Sequence, residues 1–156
     1  MIRSVVNTVK DLIATSSDII DAAQASIVWY APPSVLSLFV RCGVFKSSKT
    51  FLEGGGSMRG VTQISPFSAE PMLQLVQAGA AIRHAPQPLR AFMLVRDAQE
   101  SISALQIDPG QLSLTTRIVA FWTDDTTYAL WLLDEFEAEW MHSIDGAERI
   151  RELSER

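Results

Sequence analysis

Hydrophobic residues recur along the chain at helical spacing in some segments and form short apolar, β-branched runs in others. The helical spacing predicts an N-terminal helix over Val5–Ala14, continued after a polar break by Ile19–Ala23. Another helix is predicted to begin at Pro33, because proline is favoured in the first turn. Two more are predicted over Ser68–Ala78, with its serine as N-cap, and over Thr126–Trp140, which has a clear apolar face.

Six other segments are short, apolar and rich in β-branched or aromatic residues, so they are predicted as strands. In chain order they are Ser26–Ala31, Val61–Ser65, Ala80–His84, Leu89–Val95, Ser101–Gln106 and Arg117–Trp122. The fourth and fifth are expected to form a hairpin that turns near Asp97–Glu100. The order of elements predicts an α/β fold: a mixed sheet of about six strands, flanked by helices, with a long C-terminal helix.

Glycine and serine concentrate in Lys46–Gly60, which predicts a mobile surface loop. Within it, Gly54–Ser57 could cradle an anion with its backbone N–H groups, but no Lys-Ser or Lys-Thr pair follows, so a phosphate loop is not predicted. Asp145 and Gly146 break the long helix. We therefore predict an N-terminal helical segment over residues 1–25, one domain over 26–144 and a charged C-terminal helix over 145–156.

The composition, 47% hydrophobic and 20% charged, is that of a globular protein. The net charge of −5 makes direct nucleic-acid binding unexpected, because such binding needs Lys and Arg to neutralise phosphates. Cys42, the single cysteine, can form no intrachain disulfide and lies in an apolar run. No signal peptide or membrane-spanning run is recognisable, so we expect a cytoplasmic protein without a membrane partner.

Three aromatic residues are predicted at or near strand ends, where an open sheet forms its binding crevice. They are Trp29, Tyr30 and Trp122. Aromatic walls with a few polar groups are what a small-molecule pocket needs, and Arg83, Arg90 and Asp124 are the candidate polar members. Core packing is the alternative for Trp29 and Trp122.

His84 and His142 lie far apart in sequence and have no clear Ser or Cys partner, which does not fit a catalytic triad. Neither has another His, Cys or carboxylate at metal-ligand spacing, so neither a metal nor a cofactor is expected. His84, beside Arg83, is either part of a strand-end pair or a ligand contact. Asp97 is either a turn former, as aspartate often is, or a pocket residue.

Three segments carry a family resemblance by their order and spacing. They are Met72–His84 (a helix, Gly79 and a strand), Leu89–Ile102, and Ile118–Trp140 with its Phe-x-x-x-Trp ending. Together they resemble one half of a phospholipase D-like fold. More narrowly, they are similar to the catalytically degenerate domains that bind effectors in sugar-responsive archaeal transcription regulators. The resemblance covers Ala69–Met141, and the N-terminal half fits in topology only.

Active phospholipase D-like enzymes carry the motif His-x-Lys-x-x-x-x-Asp, and this chain has Arg90, Phe92 and Asp97 at its three spacings. The resemblance implies a histidine nucleophile and a lysine that stabilises phosphate charge, and both are replaced here. A guanidinium stays protonated and cannot be the nucleophile, and phenylalanine cannot replace lysine. We therefore expect no catalytic residue and no enzyme activity.

The expected function is a non-catalytic sensory or regulatory module of a prokaryotic cell that binds a small-molecule or anionic ligand or a regulatory protein. A homodimer is expected by analogy, because the full enzymes pair two halves. A divergent phosphodiesterase or nuclease using His84 and a structural adaptor without a ligand pocket remain as alternatives. The candidate ligand-binding residues are Trp29, Tyr30, Arg83, His84, Arg90, Asp97, Trp122 and Asp124.

Overall fold

The computed structural model describes residues 4–105, 107, 110 and 112–156. The described chain begins with strand β1 (Ser4–Thr8), which leads directly into helix α1 (Val9–Ala22). Thr8 caps α1, since its Oγ1 accepts from the Asp11 backbone N–H. The predicted start of the first helix is therefore wrong. Val6 is buried and Val5 is half-exposed, the alternation of a strand with one face on the core.

Twelve further elements follow α1. They are β2 (Ser26–Ala31), α2 (Pro33–Phe39), α3 (Gly43–Glu53), β3 (Ser57–Thr62), α4 (Ala69–Gln77), β4 (Ala81–His84), β5 (Phe92–Arg96), β6 (Glu100–Ala104), β7 (Arg117–Thr123), α5 (Thr126–Met141), β8 (Ile144–Asp145) and α6 (Gly146–Ser154). The loop predicted over Lys46–Gly60 is wrong, because most of it is α3 and β3. Val44, Ser48 and Leu52 repeat every four residues in α3 and are buried. Gln106, the predicted end of the fifth strand, lies outside the described residues.

The strands form one mixed sheet in the order β1-β7-β6-β5-β2-β3-β4-β8. β2, β3 and β4 are parallel, and every other pairing is antiparallel. The predicted α/β fold with a mixed sheet, flanking helices and a long C-terminal helix is confirmed. The sheet has eight strands rather than about six, because β1 and β8, one at each edge, were not predicted.

The helices are distributed unequally over the two faces of the sheet. One face, the five-helix face, packs against α1, α2, α3, α4 and α6 around buried residues such as Leu12, Ile27 and Leu94. The other, the α5 face, packs Leu132 and Phe136 against a smaller apolar cluster. The larger core therefore lies on the five-helix face.

Both flanking segments of the chain contact the sheet. β1 pairs with β7, while α6 packs against β4 and α4. Gly146 begins α6 so close to β4 that a Cβ there would overlap the Ile82 carbonyl oxygen. The division into 1–25, 26–144 and 145–156 stays a prediction. Within the described residues, no helix combines the length and apolarity needed to span a bilayer.

Candidate functional site

The sheet has two ends, which place the candidate residues. The carboxyl edge is where β2, β3 and β4 end, at Ala31, Thr62 and His84. The amino edge is the opposite one. Since β5 runs antiparallel to β2, its start lies at the carboxyl edge and its end at the amino edge. Arg90, just before β5, is exposed, and its carbonyl oxygen accepts from Ile107 N at 2.7 Å.

Asp97 lies at the amino edge, in the turn between β5 and β6, with a left-handed φ of 51°. Its carboxylate accepts the backbone N–H groups of Gln24, Ala25 and Ser26 at 2.8–2.9 Å and contacts Arg96 at 3.3 Å. Burial opposes its ionisation, but these hydrogen bonds outweigh burial and lower the pKa of Asp97. Asp97 thus forms the turn and anchors the start of β2.

Phe92 is 2% exposed and points into the five-helix face. Its ring meets that of Phe39 edge-on, with centroids 5.2 Å apart. Both line an apolar cavity of about 40 Å³ between β2, β5 and helices α1, α2, α3 and α4. Trp29 forms another wall, and its indole lies on Gly60, where a Cβ would overlap the ring. The position where the resemblance expects a lysine is therefore part of an apolar core.

Tyr30 follows Trp29 in β2 but lies on the α5 face. Burial, with the charges of Glu135 and Glu139 adding to it, raises the pKa of Tyr30 to about 12. Its hydroxyl therefore stays protonated at neutral pH. Trp29 and Tyr30 cannot line the same pocket, because neighbouring residues of a strand point to opposite faces.

Arg83 also lies on the α5 face, where it fixes the end of α5. Its guanidinium stacks on Trp140 at 5.0 Å and donates to the Ser143 side chain at 2.8 Å. Arg59 of β3 stacks on the same indole at 5.3 Å and on Phe136 at 5.0 Å. The Phe-x-x-x-Trp pattern thus supplies two rings that hold two arginines of neighbouring strands. Arg83 is engaged in packing at this position.

His84 ends β4 on the five-helix side of the sheet, near α6. Its Nδ1 accepts the Ile64 backbone N–H at 2.9 Å, so the neutral ring carries its proton on Nε2. Burial lowers the pKa of His84, the Arg149 charge lowers it further, and Glu152 opposes both. The ring is therefore neutral at pH 7, with one nitrogen accepting a hydrogen bond and the other carrying a proton.

Trp122 and Asp124 lie at the amino edge, away from Arg90. The Trp122 indole N–H donates to Glu100 at 2.7 Å, and the other oxygen of Glu100 contacts Arg96 at 2.5 Å. Asp124 is exposed. The eight candidates are thus spread over two faces and two edges and do not form one site. Their individual roles in ligand binding stay predictions.

The cavity on the five-helix face was missed by sequence reasoning. Its lining comes from six elements and consists of residues typical of any core, so no local pattern distinguishes it. The one available signal was Phe92, an apolar residue at a motif position that the resemblance makes charged. Within the described part of the chain, no group of three His, Cys, Asp or Glu side chains could hold a metal ion.

Comparison with solved structures supports the same fold. TrmBL2, an archaeal chromatin protein, matches with a TM-score of 0.68 and 15% identity over 91% of this chain and 53% of that one. Nuc from Salmonella typhimurium, a phospholipase D family member, matches with a TM-score of 0.70 and 13% identity over 91% and 97%. NucT from Helicobacter pylori gives 0.67 and 11% over the same shares, 91% and 97%. The fold is phospholipase D-like, as the resemblance predicted. This chain spans about half of TrmBL2.

Sequence comparisons add no closer relationship. No protein-family model matches the chain, and no curated protein sequence matches it. At identities of 11–15%, the structural matches establish the fold and leave the activity open. The catalytic status of the chain therefore has to be judged from its own residues.

The expectation about nucleic acids was wrong. TrmBL2 shows "a novel mode of DNA binding", so this fold occurs in a DNA-binding protein and the net charge was no ground for calling such binding unlikely. The charge is also uneven: residues 1–123 carry ten Lys or Arg against eight Asp or Glu, and residues 124–156 carry three against ten. The matches support neither the expected homodimer nor the expected small-molecule or anionic ligand.

Proposed function

We propose that this chain is a non-catalytic binding domain with a regulatory role, acting in the cytoplasm of a bacterial or archaeal cell. The observation that carries the proposal is the environment of Phe92. In a phosphodiesterase of this fold, that strand position would present a cation to a phosphate, and here it presents a ring to Phe39 and Trp29. A charged substrate has no counter-charge at this point of the sheet.

The state of His84 supports the same proposal. A neutral imidazole attacks through an unprotonated nitrogen, and in His84 that nitrogen is Nδ1, which accepts the Ile64 N–H. Attack on phosphorus would require this hydrogen bond to break. The neighbouring charge of Arg149 lowers the pKa of the ring and does not raise its basicity.

Hydrolysis of bis(p-nitrophenyl) phosphate tests the proposal directly. We expect no release of nitrophenolate above the buffer rate from the wild-type chain, and the same result from His84→Ala. His84→Asn, which keeps an acceptor for the Ile64 N–H, is the folded control. Turnover by the wild type that both substitutions remove would refute the proposal and establish the phosphodiesterase alternative.

Duplex DNA is a candidate ligand. The acidic residues concentrate in the last 33 positions of the sequence, so the rest of the chain carries a small positive excess that could contact phosphates. Exposed cations such as Arg41 and Lys46 lie in the part of the chain that carries a small positive excess. Fluorescence anisotropy of a labelled duplex, titrated at several salt concentrations, tests this candidate. Binding through phosphates predicts that the logarithm of the affinity falls linearly with the logarithm of the salt concentration. No anisotropy change at the lowest salt concentration would exclude it.

A further inference from the structure

We propose that the apolar cavity beneath α2 and α3 is a binding site for a small, uncharged, hydrocarbon-like molecule. The inference rests on the proposed function and deepens it by naming a ligand class. The cavity measures about 40 Å³. By the room that a single water needs, this volume holds roughly three water-sized groups. A methyl group is larger than a water, so the ligand has at most about three carbon atoms.

The chemistry of the lining selects against polar ligands. Twelve of the thirteen lining residues are apolar: Ile20, Trp29, Ala31, Leu36, Phe39, Val40, Val44, Phe45, Met72, Leu75, Phe92 and Leu94. The thirteenth, Ser48, already donates its hydroxyl to the Val44 carbonyl oxygen at 2.8 Å. A buried water needs two to four polar partners, so the cavity is dry. A charged or strongly hydrated ligand would lose its hydration without replacement.

The walls are held open by packing elsewhere in the fold. The Trp29 indole packs so closely against Gly60 that a Cβ at this position would overlap the ring. The edge-on contact of Phe39 with Phe92 fixes a second wall. Because these rings belong to β2, α2 and β5, the cavity persists without a ligand. A preformed site loses less conformational freedom when it binds.

The cavity lies nearest to solvent at the corner between α2 and α3. Val40 is the C-cap of α2, and Phe45 lies in the first turn of α3; both are half-buried and form the outer wall. The corner itself is held by backbone hydrogen bonds, such as that of Cys42 N to the Phe39 carbonyl oxygen at 3.2 Å. Val40 and Phe45 are the two lining residues that are not fully buried, so they mark the side of the cavity nearest to solvent.

Propane and n-propylammonium form a matched pair of probes, since they share a three-carbon chain and differ by one charge. Each is titrated into the ¹⁵N-labelled full chain, and the indole N–H resonance of Trp29, assigned with Trp29→Phe, is followed. We expect a saturable shift with propane and none with n-propylammonium. Absence of a saturable shift with propane, or equal shifts with both probes, would overturn the proposal.

Two substitutions that add one methylene distinguish this cavity from general effects on the core. Val44→Ile narrows the cavity, whereas Val28→Ile makes the same change on the α5 face at similar burial. We expect the dissociation constant of propane to rise about tenfold in Val44→Ile and to stay unchanged in Val28→Ile. Ala31→Val, a second filling substitution, repeats the test if Val44→Ile fails to fold. Unchanged affinity in both filling variants would refute the assignment.

This test and that of the proposed function fail independently. Phosphodiester turnover would refute the non-catalytic role and leave propane binding to be judged on its own titration. If propane causes no saturable shift and no phosphodiester turnover is measured, the non-catalytic role stands and the proposed ligand class is refuted. Xenon, which binds dry apolar cavities, serves as a second uncharged probe with the same expected pattern.

Discussion

At the scale of single residues, the turn between β5 and β6 combines an anchor with a strained position. Asp97 and Ala98 both have left-handed φ angles, 51° and 53°. Arg96 pairs with Glu100, so the hairpin loop has three residues, and its first two take a conformation that glycine alone adopts without cost. Asp97 offsets its own strain with three backbone hydrogen bonds, and Ala98 has no comparable contact among those we describe.

Ala98→Gly should therefore stabilise the protein. Relief of the left-handed alanine exceeds the greater chain entropy of glycine in the unfolded state, and we expect the free energy of unfolding to rise by about 0.5–1 kcal/mol. Urea unfolding followed by circular dichroism measures it. Gly79→Ala is the reciprocal control, because Gly79 has a φ of 114° and open space around it, so only backbone strain is added. Stabilisation in both variants would contradict this explanation.

The sequence predicted part of this turn and part of its role. Aspartate between two apolar runs indicated a hairpin near Asp97, and the hairpin is there. The three N–H donors come from Gln24–Ser26, more than seventy positions away, so no local pattern could reveal them. Trp29 and Tyr30 are neighbours in a predicted strand, so the sequence already implied that their side chains point to opposite faces of the sheet. The prediction that both line one crevice overlooked this alternation.

At the scale of elements, cation–π contacts hold the C-terminal end of α5 against the sheet. The Trp140 ring contacts the guanidinium groups of both Arg59 and Arg83. Trp131, about two and a half helix turns away, is 49% exposed and contacts only Tyr128 among the ring pairs we describe. Two tryptophans of one helix thus have different surroundings. Aromatic character alone could not separate them in the sequence.

Trp140→Leu and Trp131→Leu test this difference with the same chemical change. Trp140→Leu removes two cation–π contacts and apolar packing, so we expect the free energy of unfolding to fall by about 2 kcal/mol. Trp131→Leu should change it by no more than about 0.5 kcal/mol. Chemical denaturation of both variants provides the measurement. Equal losses would show that the stacking contributes nothing beyond helix packing.

Element prediction failed where polar residues occupied buried or edge positions. α3 was taken for a loop because Ser47, Ser48 and Lys49, followed by Gly54–Ser57, are typical of loops. Ser48 is nevertheless buried and donates to the carbonyl oxygen four residues earlier. β8 has two residues and carries no period. These assignments depend on tertiary contacts, which the spacing of residues along the chain does not record.

At the scale of the whole molecule, the C-terminal helix docks beside the one partly buried histidine we describe. His84 accepts from Ile64 N, and Arg149 of α6 donates to the Ile64 carbonyl oxygen at 3.4 Å. Protonation of the ring would remove its acceptor and place a second positive charge beside Arg149. Burial and this charge both lower the pKa of His84, with Glu152 opposing them.

The direction of the pH dependence follows from that shift. Below pH 6.5, the ordinary pKa of histidine, His84 binds a proton in the unfolded chain but resists protonation in the folded chain. Stability from this residue is therefore complete above about pH 6.5 and is lost progressively as the pH falls towards the lower folded pKa. The pKa of Asp97 is lowered from 3.8, so this residue affects the free energy of unfolding only in a separate, more acidic pH range.

His84→Asn should remove this component of the pH dependence and keep the acceptor for Ile64 N. We expect the free energy of unfolding of the wild type to decline between about pH 6.5 and pH 5, and that of His84→Asn to stay level there. Urea unfolding across this range measures both proteins. His84→Ala, which lacks an acceptor, should also stay level but be less stable at every pH, because the Ile64 N–H loses its partner. A decline of equal slope in the wild type and His84→Asn would assign the pH dependence to other groups and leave the α6 contact without a role in it.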